Sequence, residues 1–451
     1  MKLLLISANP VTAPYPVYPL GLDHVARAVS PPHQVEILDL NAVGRLDGLG
    51  ERVRTSAPDA VGMSIRNVDN TEMADSVSYL PFHQTAVRHI RNAWDGPIIL
   101  GGSGFTIFPA EFMAALGADY GIIGEGERLA GLLDALEAGR SPAGMPGVIQ
   151  PGEIPDYPPP YADSATPSAW LNPEAPHLSY YLGRGGMLNL QTHRGCPFNC
   201  VYCTYPHIEG RRLRPVPPEA AAEAAVALQA AGARYLWITD SAFNADCDHS
   251  AAVADAFRRA GLTIPWGAFF TPTAPPSGYY RHLAEAGLTH VEFGTESLAE
   301  PVLFAYGKPF NHEAVFAAHR DAVAAGLHVA HYFLFGGPGE TDGTLRQTLS
   351  RIDKLEKSVL FLFGGMRIYP HTALYDRAVR EGRIDPEASL LAPVFYQPPG
   401  LDGGAMARQI RDRAAGRSNW IWGAGGEETA AILSRLYDRG FTGPLWEQLI
   451  R

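Results

Sequence analysis

The sequence predicts an α/β protein made of two parallel sheets in series: an N-terminal doubly wound, Rossmann-like sheet, then a partial (β/α)6 TIM-type barrel and a small C-terminal region. Three observations lead there. Short apolar runs alternate with amphipathic stretches, this alternation occurs twice along the chain, and a Pro-rich segment separates the two series. Strand-length apolar runs set between helical stretches are what parallel sheets covered on both faces require.

In the first series, residues 2–7, 35–38, 60–64, 97–100 and 120–123 read as buried strands, with helices such as 20–29 and 111–116 between them. A doubly wound sheet binds ligands at the loops beyond the carboxyl ends of its strands. Four of those loops are distinctive. The first holds Tyr15, Pro16 and Gly21. The third follows Ser64 with Arg66, Asn67, Val68 and Asp69. The fourth is Gly101-Gly102-Ser103-Gly104, and the fifth is Gly124-Glu125-Gly126-Glu127. Glycine lets backbone approach a ligand closely and adopt positive φ. One such loop serves merely to make the turn, whereas four on one edge predict a binding edge for a large flat cofactor.

From Pro146 to Pro176 the composition turns to Pro, Gly, Ser and Ala, which reads as an ordered connector whose tyrosines and Trp170 pack on a domain surface. Beyond it, residues 187–192, 235–239, 264–269, 290–293, 329–335 and 360–368 read as strands. Helices at 218–231, 250–260, 277–286, 313–325 and 345–355 separate them. Function is expected at the carboxyl ends of such barrel strands. The expected division is 1–145 for the first domain, 146–184 for the connector, 185–375 for the barrel and 376–451 for a C-terminal domain containing Trp420, Trp422 and Trp446.

The 451 residues are 46% hydrophobic and 18% charged, enough to bury sizeable cores. A formal charge of −11 argues against a nucleic-acid coat, which wants a basic surface. No run approaches the roughly twenty apolar residues of a membrane span. No apolar leader follows Met1-Lys2, so a reducing cytoplasmic setting is expected.

The most specific motif is Cys196-Pro197-Phe198-Asn199-Cys200-Val201-Tyr202-Cys203, placed just after the first barrel strand. Three thiolates at CxxxCxxC spacing suit one iron-sulfur cluster, and three ligands on a four-iron cluster leave one iron open. Zinc is the main alternative, with Cys247, His193 and His207 as further donors. Disulfides suit short secreted chains better than this one. Cys247, the fourth and last cysteine, reads as a small buried hydrophobe or, less simply, a fourth ligand.

These residues resemble the radical S-adenosylmethionine (SAM) enzymes, and residues 1 to about 145 resemble the cobalamin domain fused to a large subgroup of them. The resemblance implies a 4Fe-4S cluster on Cys196, Cys200 and Cys203, with SAM on the open iron and cobalamin on the glycine-rich edge. It further implies a small-molecule substrate and an external electron donor such as flavodoxin or ferredoxin. Tyr202 matches the aromatic that packs near adenine. Glu296 and Ser297 match the fourth-strand ribose motif, and Gly336 and Gly337 the fifth-strand motif against adenine. Gly267 stands where the family has a glycine-rich segment for the methionine amino group. Arg367 is expected to touch substrate or SAM. In most of the subgroup the activity is C-methylation of an unactivated carbon: one SAM methylates cobalt and a second supplies a 5′-deoxyadenosyl radical. A cobalamin-assisted rearrangement and a non-catalytic cobalamin or metal sensor are the alternatives. Methylthiotransferases carry further N-terminal cysteines, and here none precedes Cys196.

One departure stands out. No DxHxxG occurs, so the histidine that ligates cobalt in many cobalamin proteins is missing, and Arg66 or Asn67 is expected to face the lower side of the corrin. A protonated guanidinium has no lone pair for cobalt. The plainer reading pairs Arg66 with Asp69.

Overall fold

The computed structural model describes residues 1–12, 15–44, 46–155, 157–159, 161–165, 175–423 and 426–450, with side chains 426–428 left aside. Trp170 lies outside the described residues.

Strands β1 (Lys2–Ser7), β2 (Gln34–Asp39), β3 (Ala60–Ser64), β4 (Ile98–Gly101), β5 (Tyr120–Ile122) and β6 (Val148–Ile149) form a sheet in the order β2-β1-β3-β4-β5-β6. All pairs are parallel except β5 with β6. Leu3, Leu4, Leu5 and Ile6 are all buried, because helices cover both faces and an unbroken apolar run is then favoured. The order in which strands are added reverses between β1 and β3. The loops there diverge and leave a crevice, the usual ligand position in such sheets.

The second sheet takes β7 (Met187–Leu190), then, beyond the two-stranded ribbon of β8 (His193–Arg194) and β9 (Arg214–Pro215), β10 (Tyr235–Ile238), β11 (Trp266–Phe270), β12 (Leu288–Glu296), β13 (His328–Phe335) and β14 (Ser358–Gly364). These six strands are parallel in chain order. A single strand over 360–368 was expected. It breaks at Gly365, whose φ of +86° lets the backbone turn against Met73 of the first domain. The next residues form β15 (Met366–Arg367), paired with β16 (Phe395–Tyr396).

The expectation of a separate C-terminal domain needs correction. Strand β17 (Trp420–Trp422) pairs in parallel with β14, so the region from 376 onward supplies a seventh strand to the barrel sheet. Trp446 continues the closure. Its indole Nε1 donates to Glu292 Oε1 at 2.8 Å, and Glu447 pairs with His290 at 3.2 Å. Tyr15 from the first domain packs on Met187, Tyr235 and Trp237, and also on Tyr437 and Leu445. Both ends of the chain thus reach the gap between β7 and β17.

The two sheets share one core. Phe105, Phe108 and Phe112 lie in the same buried cluster as Tyr306, Met366, Ile368 and Leu374. Among the described residues no helix is long and apolar enough to cross a membrane.

Candidate active site where the two sheets meet

A cavity of about 480 Å3 opens at the carboxyl edge of the first sheet. Ser64, Arg66, Asn67, Val68, Gly101, Gly102, Ser103 and all of Gly124 to Glu127 line it, as do Arg194, Tyr205, Glu209 and Thr239 from the barrel side. The crevice of one sheet and the mouth of the other therefore form one space.

Its wall shows why these loops are glycine-rich. Gly102 has φ +99°, and a Cβ there would sit 2.6 Å from the Ile65 carbonyl oxygen. Gly104 N donates to Ile65 O at 2.9 Å, and Ser103 Oγ donates to Arg66 O at 3.1 Å. Gly102 and Gly104 let the Ile65–Arg66 backbone lie against β4, which projects Arg66 into the cavity. Arg66 does not pair with Asp69, whose Oδ2 accepts from Arg367 Nε at 2.9 Å. Enclosure by protein pulls the Arg66 guanidinium below its ordinary range. Gly101 is different, since a Cβ there would meet nothing closer than 3.8 Å. His24 lines the same cavity and has a buried Nε2 without a protein partner. An open, glycine-lined space with an orphaned polar atom fits a large flat cofactor with polar appendages.

Glu125 and Glu127 line the cavity, yet their carboxylates are already engaged. Glu127 accepts from Arg194 at 2.5 Å, while Glu125 pairs with Arg194 at 3.4 Å, with Arg214, and with the Ala162 N–H at 2.6 Å. Burial alone would raise the Glu127 carboxyl, but Arg194 holds it below the usual carboxylate range. Arg194 stands two residues before Cys196, so these pairs fix the root of the cysteine loop to the first domain. Glu209 Oε2 accepts from Gly195 N at 3.2 Å, and Asp240 accepts from the N–H groups of Thr192 and His193. Asp240 also lies 3.1 Å from His193 Nδ1 and, against the effect of burial, raises the imidazole's pKa.

Cys196, Cys200 and Cys203 are all free. Burial raises the Cys200 thiol and pushes Cys203 up to about 12, so a bound metal is needed to hold both as thiolates. Among the described residues no three His, Cys, Asp or Glu side chains converge on one metal ion. Cys247 opens the helix Cys247–Arg259 and packs against the second core.

Tyr202 and Glu296 are brought together: the Tyr202 hydroxyl donates to Glu296 Oε1 at 2.7 Å. Glu296 has φ +61°, a conformation costly for a side-chain-bearing residue, at a register shift in β12. A third member, Lys308, was not found by sequence reading. Its Nζ donates to Tyr202 at 2.9 Å and to Glu296 at 3.0 Å. No spacing pattern marks a lysine in a Gly-Lys-Pro turn.

Several expected contacts fall elsewhere. Tyr15 and Pro16 leave the cavity edge to Val17–Leu22: Tyr15 enters the barrel seam and Pro16 lines a second hollow beside Tyr437. Ser297 turns to the helical layer, where its Oγ bonds Thr348 at 3.0 Å and accepts from Ala299 N. Gly267 is filled from inside, because a Cβ would lie 2.6 Å from both Trp237 and Tyr235. Gly336, at φ +86°, and Gly337 pack on Met406, Met366 and Tyr306, and the Tyr306 hydroxyl accepts from Gly337 N at 3.0 Å. Arg367 is 5% exposed, and its guanidinium is used by Asp69 and the carbonyls of Ile368 and Leu390. It ties the domains together through Asp69.

A cysteine loop on a parallel barrel, facing a glycine-rich crevice, defines a cobalamin-binding radical SAM protein. Residues 190–352 match the model of the radical SAM superfamily, and residues 6–133 match that of the B12 binding domain. The chain is 25% identical to a tryptophan 2-C-methyltransferase of Streptomyces laurentii, over 81% of this chain and 73% of that one. It is 26% identical to an uncharacterized methyltransferase of Pyrococcus horikoshii, covering 80% and 78%. Its fold matches the radical SAM methyltransferase TsrM of Kitasatospora setae, solved with tryptophan and a SAM analogue, with a TM-score of 0.87 at 23% identity over 99% and 97%. The chain belongs to the cobalamin-binding radical SAM enzymes.

Proposed function

We propose that this enzyme transfers a methyl group to a carbon of a small-molecule substrate, using cobalamin, SAM and a 4Fe-4S cluster. One observation carries the reading: Arg194, at the root of the cysteine loop, and Gly124 to Glu127, on the crevice edge, wall the same cavity. Bound there, cobalamin would carry the methyl group, while SAM and the cluster would supply methyl donation and one-electron chemistry.

The chain's own residues position these groups. Cys196, Cys200 and Cys203 would hold the cluster, and Tyr202 and Glu296 would present a buried polar edge beside it for SAM. Gly101, Ser103 and Gly124 shape the corrin edge. Arg66, which lines the cavity, would face a bound corrin without offering its cobalt a lone pair, and so would favour a low-valent metal. The barrel lumen is aromatic: Trp237 meets Phe269 at 5.2 Å, and Tyr332 stacks on Phe361 at 4.8 Å. With a tryptophan methyltransferase among the relatives, this supports a substrate bearing a flat ring. The cluster calls for an external donor of the flavodoxin or ferredoxin kind, and a reducing cytoplasm suits the free cysteines.

The test is anaerobic reconstitution with iron, sulfide and cobalamin, followed by incubation with SAM, a reductant and aromatic acceptors. Cluster and cobalamin absorbance with S-adenosylhomocysteine and a methylated acceptor are expected. Protein that takes up both cofactors yet forms neither S-adenosylhomocysteine nor 5′-deoxyadenosine overturns the reading. Replacing Arg66 with alanine should alter the cobalamin spectrum, and an unchanged spectrum with unchanged turnover removes its assigned role.

A further inference from the structure

Lys308 is a built-in cation, with only 6% of its side chain exposed. The turn that carries it is pressed onto the cysteine loop. Val201 N donates to Tyr306 O at 3.0 Å, and Gly307, at φ +71°, has the Asn199 carbonyl where a side chain would begin. Lys308 N is held by Leu303 O at 3.0 Å. From there the ammonium lies 5.3 Å over the ring of Tyr202, the residue between Cys200 and Cys203, and bonds the Tyr202 hydroxyl and Glu296. The ion pair with Glu296 at 3.0 Å, in a site where both side chains are nearly buried, holds the ammonium as a cation.

Resting on the reading that the three cysteines hold a cluster, we propose that Lys308 sets the cluster's reduction potential, favouring the reduced form through its buried charge beside the cysteine loop. Reduction adds one electron and no atom, and the extra negative charge is stabilised by a cation in a poorly hydrated site. Glu296 opposes this. Removing either member leaves the other charge unbalanced beside the cysteine loop, so substitutions at Lys308 and Glu296 are expected to move the potential in opposite directions.

The test is a redox titration of the full-length, anaerobically reconstituted protein, followed by electron paramagnetic resonance of the reduced cluster, with iron content measured in parallel. At the potential where wild type is half reduced, Lys308→Met should lower the reduced-to-oxidised ratio at least about tenfold, or about 59 mV for one electron. Lys308→Arg should restore it, and Glu296→Gln should shift the midpoint upward. A loaded Lys308→Met protein titrating with wild type, or an arginine variant as shifted as the methionine one, overturns the proposal. If Lys308→Met takes up no iron, Glu296→Gln decides: an unmoved or lowered midpoint overturns it. Wild type that binds no iron overturns the functional reading and this role with it, whereas loaded protein with unmoved potentials overturns this role alone.

Discussion

The two sides of the cavity are built on opposite terms. The crevice side is largely backbone: Gly101, Gly102, Ser103 and Gly124 shape its wall, Arg66 adds a charge, and Glu125 and Glu127 are already engaged by arginines. The cysteine side is side chain. Arg194, Arg214, Glu125, Glu127 and Glu209 lace the loop's root, while Lys308, Glu296 and Tyr202 lace its tip. The crevice suits a large group that brings its own shape, and the loop suits a cluster whose ligands must be held in register before it arrives. Damage to the two sides should therefore read out differently.

The largest effect is expected on the cysteine side. Cys200→Ser should abolish cluster uptake, leaving iron content near background and no product, while cobalamin absorbance on reconstitution persists. Loss of both cofactors together would mean that the two sides are not independent. Arg194→Ala comes next. It strips a partner from two acids, of which Glu125 is 8% exposed, and breaking a buried pair costs about 3–5 kcal/mol. A large fall in melting temperature with reduced iron uptake is expected, and Arg194→Lys should recover only part of it because one ammonium cannot serve both carboxylates.

The same contrast explains what the sequence made legible. The cysteine spacing and the glycine-rich loops are local patterns, and a local pattern survives in one dimension. Both sheets could be read because central strands such as β1, β3 and β10 are apolar runs buried on two faces. The engaged states of Ser297, Gly267 and Arg367 could not be read, because each depends on a partner far along the chain: Thr348, Trp237 and Asp69. Lys308 escaped for the same reason. The seventh strand was missed because Trp420-Ile421-Trp422 is only three residues long and its pairing with Leu360 to Leu362 leaves no periodic mark.

A third prediction concerns the barrel floor. Burial pushes the Glu292 carboxyl up to about 7, although Tyr332 and Trp446 donate to it and lower it in part. A raised value means that the folded protein binds this proton more tightly than the unfolded chain. Its contribution to stability is complete below about 4.5 and is lost as pH rises through 7, a swing of at most about 3 kcal/mol. Glu292→Gln imitates the protonated acid, accepting from Trp446 and donating to Tyr332. Its melting temperature should match wild type near pH 5 and exceed it at pH 8. Asp23 and Glu340, raised by burial to about 8 and 7, act in the same direction, so the variant keeps part of the slope. Equal melting curves at pH 8 would show that Glu292 is ionised without cost.

The smallest effect separates two uses of adjacent glycines. At Gly102, φ +99° and the nearby Ile65 carbonyl both oppose a side chain, so Gly102→Ala should destabilise by about 1–3 kcal/mol and weaken cobalamin binding through the displaced Arg66 loop. At Gly101 a methyl group meets only Ile122, at 3.8 Å, and φ is ordinary. Gly101→Ala should then change stability by less than about 0.5 kcal/mol. If its cobalamin affinity nevertheless falls while its melting temperature holds, the empty space at Gly101 belongs to the ligand. If affinity holds as well, Gly101 serves only the turn, and the crevice side depends on Gly102 and on the loop it lets pass.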